Sequence, residues 1–128
     1  MRQTLIAFWL GLMCWAGSAL AGDSIAPRQL AARLGGSDAP LVLDVRTPEE
    51  FAQGHVPGAV LIPHDQLAQR LDEIPADREL VLYCHSGRRS TLAERVLAEH
   101  GRHASQLEGS WIGWQAAGLP SESARQGE

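Results

Sequence analysis

The chain has 128 residues, with eleven basic side chains, every one an arginine, against fifteen acids, a formal net charge of −4. There is no basic stripe, so nucleic-acid binding is not expected. The only cysteines are Cys14 and Cys84, and five histidines show no metal-ligand spacing, which leaves no basis for a structural metal site.

Arg2 followed by the apolar run Leu5–Trp15 and then Ala19-Leu20-Ala21 reads as a secretory signal cleaved after Ala21. The run is short for a bilayer-spanning helix. Residues 22–128 are then a single exported domain, with a core from about residue 25 to 120 and no membrane association after cleavage. Such a chain is large enough to bury about two-thirds of its unfolded surface. It retains Cys84 alone and cannot form an internal disulfide. A free thiol in an oxidising compartment suggests use rather than structure.

A helix is expected near Pro27–Leu34, closed by Gly35-Gly36. Leu41–Val45 is an apolar strand of the kind that lies inside a parallel sheet. Thr47-Pro48-Glu49-Glu50 opens a short helix ending near Gly54. Ala59–Ile62 is a strand. Asp65–Ile74 reads as a helix with Leu67, Leu71 and Ile74 on one face. Glu79–Tyr83 is a strand, and Ser90–His100 a helix with Leu92, Val96 and Leu97 turned inward and Gly101 just past its end. Ala104–Leu107 is a last strand and Trp111–Ala117 a short helix, with both tryptophans covering the core. The polar segment 121–128 is expected to fray. Strands alternating with helices predict an α/β domain around a mostly parallel sheet, whose ligands sit at the C-terminal ends of the strands.

Cys84 falls at such an end. The turn His85-Ser86-Gly87-Arg88-Arg89-Ser90 leads from it into a helix. Amide N–H groups in the turn, the helix dipole and the arginines all favour a thiolate there. Gly87 permits the tight turn. Consecutive residues diverge by about 100° on a helix, so Arg88 and Arg89 cannot both face the cup. Arg89 is expected to face it and Arg88 to stand at the rim. His85 either assists proton transfer or lines the loop. Asp44 and Arg46 are expected to pair as structural support, because buried acids are normally paired. His55, before Val56-Pro57-Gly58, is expected to be a turn residue.

Asp44-Val45-Arg46-Thr47-Pro48-Glu49-Glu50-Phe51, Gly54-His55-Val56-Pro57-Gly58-Ala59 and Ile62-Pro63 resemble the front signature of rhodanese domains. The segment Cys84–Ser90 resembles their active-site loop, and Trp114 with Ala117–Pro120 their closing segment. With its leader, the chain resembles small single-domain periplasmic rhodaneses. Gly109-Ser110 departs from the glycine pair usual there, a change expected to alter a turn without touching the chemistry. The resemblance implies a three-layer α/β/α domain with about five strands, and a thiosulfate sulfurtransferase. Cys84 would take the outer sulfur of thiosulfate as a persulfide and pass it to cyanide or another thiophile in a two-step, ping-pong reaction. It implies no cofactor beyond that covalent intermediate, small-molecule partners and a monomer. Three other readings stand beside it: a cysteine-based phosphatase or arsenate reductase of related fold, a binding module without turnover, and a thiol redox protein, for which the Cys-x-x-Cys pair is missing. The phosphatases similar to this fold place five residues between cysteine and arginine; here four separate Cys84 from Arg89.

Overall fold

The computed structural model describes residues 23–124; residues 1–22, which include the expected signal segment, and the last four residues lie outside the described part. The elements in order are β1 (Ser24–Ile25), α1 (Pro27–Arg33), β2 (Leu41–Asp44), α2 (Pro48–Gln53), β3 (Val60–Leu61), β4 (Leu80–Tyr83), α3 (Arg88–Glu99), β5 (Ser105–Leu107) and α4 (Ser110–Ala116). The five strands form one sheet in the order β1-β5-β4-β2-β3, with every pairing parallel. The adjacent interior strands β4 and β2 are the two most deeply buried. No helix among the described residues is long and apolar enough to cross a membrane.

Strand alternation sorts the core into two halves. Leu43, Val45, Leu80, Leu82 and Cys84 face the side covered by Ala93 and Leu97 of α3. Val42, Val81 and Tyr83 face the side covered by Leu30 of α1, Phe51 of α2, and Trp111 and Trp114 of α4. The expected three-layer α/β/α arrangement is thus present. One consequence fixes the site: the residue after β4 belongs to the α3 face, so Cys84 meets the start of α3 directly.

Several local expectations change. The segment Asp65–Ile74 is not an α-helix but two 3₁₀ turns, Leu67–Gln69 and Leu71–Glu73, held by i→i+3 bonds such as Arg70 N–H to the Leu67 carbonyl at 3.1 Å. A 3₁₀ path rises about 2.0 Å per residue against 1.5 Å, which helps a short segment cross from β3 over β2 to β4. Leu67 and Ile74 are nonetheless buried, as their spacing requires. Leu92 is 45 % exposed. The inward stripe of α3 runs through Ser90, Ala93 and Leu97, so the small Ala93 lies against the sheet where Leu92 was expected. Gly101 ends α3 as expected, with φ +71° and the bond pair Gly101 N–H to Ala98 O and Arg102 N–H to Leu97 O.

The segment after Pro120 is tied down rather than frayed through Glu122. Glu122 and His55 exchange backbone hydrogen bonds at 2.9 and 3.0 Å, and the Trp114 indole N–H donates to Pro120 O at 2.9 Å. His55, nearly buried, would otherwise lack a partner for its backbone groups.

Candidate active site

Cys84 is 1 % exposed, one residue beyond β4. Its sulfur sits above the start of α3. The Gly87 N–H donates to Cys84 Sγ at 3.0 Å, and the Ser90 hydroxyl oxygen lies 3.6 Å from the sulfur. Gly87 is the N-cap of α3, with φ +110° and ψ −12°, and having no side chain it cannot cap the helix itself. Burial pushes the Cys84 thiol up. The Ser90 N–H and hydroxyl, then the Gly87 and Ser86 N–H groups, outweigh that and bring it below the ordinary cysteine value. The Ser90 hydroxyl donates to Gly87 O at 3.1 Å, and that carbonyl also takes the Thr91 hydroxyl at 2.7 Å and the Thr91 N–H at 3.1 Å.

The base of the loop is fixed by α4. Trp111 N–H donates to Cys84 O at 2.9 Å and Ile112 N–H to His85 O at 3.2 Å. Ser110 is buried with φ +52°, a left-handed conformation uncommon outside glycine. Its hydroxyl oxygen accepts the Cys84 N–H at 3.4 Å. The serine thus alters the turn, as expected, and in addition touches the backbone of the cysteine. No side-chain pattern reveals that; the signal is only a serine beside a glycine in a turn.

Asp44 and Arg46 do pair, and both are buried. Arg46 Nε donates to Asp44 Oδ1 at 2.9 Å and Nη2 to Oδ2 at 2.6 Å, while Nη2 also donates to Gly54 O at 2.7 Å. Asp44 and Tyr83 are register partners on one face of the sheet, and the Tyr83 hydroxyl donates to Asp44 Oδ2 at 2.6 Å. That hydroxyl also accepts the Val56 N–H at 3.1 Å. Burial, with Asp44 beside it, raises the Tyr83 pKa, so it stays a neutral donor. The Arg46 guanidinium lies 5.3 Å from the Tyr83 ring centroid and 4.8 Å from that of Trp111. Breaking such a buried pair by removing one partner costs about 3–5 kcal/mol. This cluster ties the loop after β2 and the turn after α2 to the end of β4.

His85, Ser86 and Arg88 are exposed at the loop rim. Arg89 is half-buried, and it carries a partner that the sequence did not suggest. Its two terminal nitrogens bind the carboxylate of Glu50, Nη1 to Oε1 at 2.7 Å and Nη2 to Oε2 at 3.0 Å, rather than standing free in the cup. It remains close enough for the Cys84 charge to help raise its pKa. Glu50 was not singled out as a site residue, although its signature is in the sequence: Thr47-x-x-Glu50 is a capping box. Beside the loop lies a cleft of about 400 Å³ lined by Arg46, Glu50, Gln53, Gly54, His85, Trp111 and Gln115. His55 stays out of it, stacking on Phe51 at 3.7 Å between centroids with its Nδ1 on Phe51 O.

A parallel α/β domain whose strand-to-helix turn wraps N–H donors around one cysteine sulfur is built to hold charge on sulfur. Residues 26–117 match the Rhodanese-like domain family. A sulfurtransferase of Allochromatium vinosum is 39 % identical over 99 residues, covering 77 % of this chain and 92 % of that protein. A rhodanese-related protein of Thermoplasma volcanium superposes with a TM-score of 0.71 at 28 % identity, covering 78 % of this chain and 97 % of that one. A thiosulfate sulfurtransferase from Pseudomonas aeruginosa gives 0.70 at 35 % identity, over 80 % of this chain but only 19 % of that one. The chain belongs to the rhodanese-like domain family, as a sulfurtransferase-type member.

Proposed function

We propose that this protein is a thiosulfate sulfurtransferase working through a persulfide on Cys84. The thiolate attacks the outer sulfur of thiosulfate; the S–S bond breaks, and its electron pair leaves with sulfite. Cys84 then carries a terminal sulfur anion. In the second step cyanide or another thiophile attacks that outer sulfur, departs with it (as thiocyanate from cyanide), and the Cys84 thiolate returns. Atoms and charge balance without a cofactor, and one subunit suffices.

The observation that carries this reading is the Gly87 N–H on Cys84 Sγ at 3.0 Å, in a loop whose other donors converge on the same sulfur. Such a cradle stabilises the thiolate before attack and the persulfide anion after it, as oxyanion holes stabilise oxygen. With four residues between Cys84 and Arg89, the loop closes on a single sulfur more readily than on a phosphoryl group bound through three oxygens. Arg88, exposed at the rim, draws the anionic donor in. The similarity to proteins described as sulfurtransferases supports the same class. Export of residues 22–128 to the periplasm belongs to this reading and rests on the leader alone.

Intact mass after thiosulfate treatment tests it: Cys84 should gain one sulfur atom, and cyanide should remove it. Hydrolysis of an aryl phosphate faster than thiocyanate formation would replace this reading with a phosphatase. N-terminal sequencing of protein from a Gram-negative host should begin at Gly22 in the periplasmic fraction; full-length protein in the membrane would defeat the export proposal.

A further inference from the structure

We propose that Glu50 is a specificity-determining residue that filters sulfur donors by charge, weakening the hold on dianions relative to monoanions. The proposal rests on the persulfide reading above and concerns how the same site chooses its donor.

One guanidinium, that of Arg46, lines the cleft and a second, that of Arg89, is bound to Glu50 of its wall; each is matched by a carboxylate before any substrate arrives. Arg46 is taken by Asp44 and by Gly54 O. Arg89 is taken at both terminal nitrogens by Glu50. The difference lies in exposure. Asp44 is fully buried and faces no ligand, whereas the Glu50 side chain is 30 % exposed and lines the cleft beside His85. An incoming anion therefore meets a carboxylate on the wall and an arginine already occupied.

Glu50 is also held in place. Its carboxylate takes the Thr47 hydroxyl at 3.2 Å and the Thr47 N–H at 3.4 Å, closing the capping box of α2. Its pKa, lowered to about 2 chiefly by the Arg89 hydrogen bonds, keeps it charged at every working pH. This fixed carboxylate cancels the charge of Arg89, and that cancellation costs a dianion one more unit of attraction than it costs a monoanion. At the effective dielectric of a part-exposed site that is roughly a tenfold difference in binding.

Two donors with the same sulfane chemistry and different charge isolate the effect. Thiosulfate carries two negative charges and an arenethiosulfonate one. Attack by Cys84 yields the same persulfide from each, with sulfite or a sulfinate leaving. In a ping-pong reaction the donor kcat/KM does not depend on the acceptor, so the two can be compared directly. Glu50→Gln removes the charge while glutamine can still close the capping box. The variant should raise kcat/KM for thiosulfate about tenfold relative to the thiosulfonate, through KM, with the gain shrinking as salt is added. An unchanged ratio, or one moved toward the thiosulfonate, would overturn the proposal.

The wild type supplies a second readout that needs no variant. Sulfate and methanesulfonate should protect Cys84 from iodoacetamide about equally, and clearly tighter protection by the dianion would also overturn it. If thiosulfate fails to charge the wild type while the thiosulfonate succeeds and Glu50→Gln restores thiosulfate, the filter stands and thiosulfate falls as the donor. If neither donor adds sulfur, the sulfur-transfer reading fails, and the protection experiment still decides the filter.

Discussion

Two helices, α2 and α3, begin close enough for Glu50 of one to bind Arg89 of the other, and they solve the same problem in opposite ways. Each start leaves backbone N–H groups without partners. Helix α2 seals its own: Thr47 accepts the Glu50 N–H at 3.2 Å and Glu50 takes the Thr47 N–H in return. Helix α3 has glycine at the N-cap and no side-chain cap. Its open donors, and the turn that precedes them, close on Cys84 Sγ instead. The sulfur is the cap of α3. A helix that is complete without a ligand is scaffold, and a helix whose cap is a reactive atom is a site.

The comparison can be broken most severely at the cap itself. Cys84→Ser should reduce sulfur transfer below detection, because a hydroxyl cannot carry the persulfide, while far-UV circular dichroism stays unchanged. Next in size is Gly87→Ala. A Cβ there meets nothing nearer than Ser110 Oγ at 4.0 Å, so the cost is conformational: φ +110° is a region L side chains rarely adopt. A loss of about 1–3 kcal/mol is expected. Urea denaturation would measure it, and the iodoacetamide rate profile should move to higher pH as the Gly87 N–H leaves the sulfur. Thr47→Ala sharpens the contrast from the sealed side. It should cost about 1 kcal/mol, the usual value of a lost cap, and leave the alkylation profile where it was.

The smallest effect is on stability against pH. The folded state holds the Cys84 thiol below its ordinary pKa, so the unfolded chain binds more protons between the two values. Stability from this group is fully present above the unfolded value, and is lost as pH falls through the folded one. The difference in denaturation midpoint between wild type and Cys84→Ser should therefore rise with pH across that window. A flat difference would mean that the α3 donors do not favour the thiolate.

What the sequence made legible follows from how local each signal is. The strands and Cys84 could be placed because a short apolar run and a glycine turn are written within ten residues. Gly101 and the Thr47 box were readable for the same reason. The partner of Arg89 was not legible because Glu50 lies 39 positions away. Leu92 was misplaced because hydrophobicity ranks leucine above alanine, while the geometry of α3 presents Ala93 to the sheet. The Glu122 pairing with His55 is made by two backbone hydrogen bonds, with the side chains 3.6 Å apart beside them, and nothing local in the sequence joins residues 67 positions apart. Ser110 is the hardest case: its role depends on a positive φ that serine rarely takes.

The Ser90 hydroxyl has one hydrogen and two neighbours that want it. With Cys84 protonated, that hydrogen lies on Gly87 O, and the hydroxyl oxygen faces the thiol. When the sulfur becomes an anion, the hydrogen can turn to it. Gly87 O loses little, since Thr91 still supplies both its hydroxyl and its N–H. The change of charge is then recorded by the rotation of a single proton, with every heavy atom in place. Electron density from the resting and the activated enzyme should look the same, and neutron diffraction, which locates hydrogen, should tell them apart.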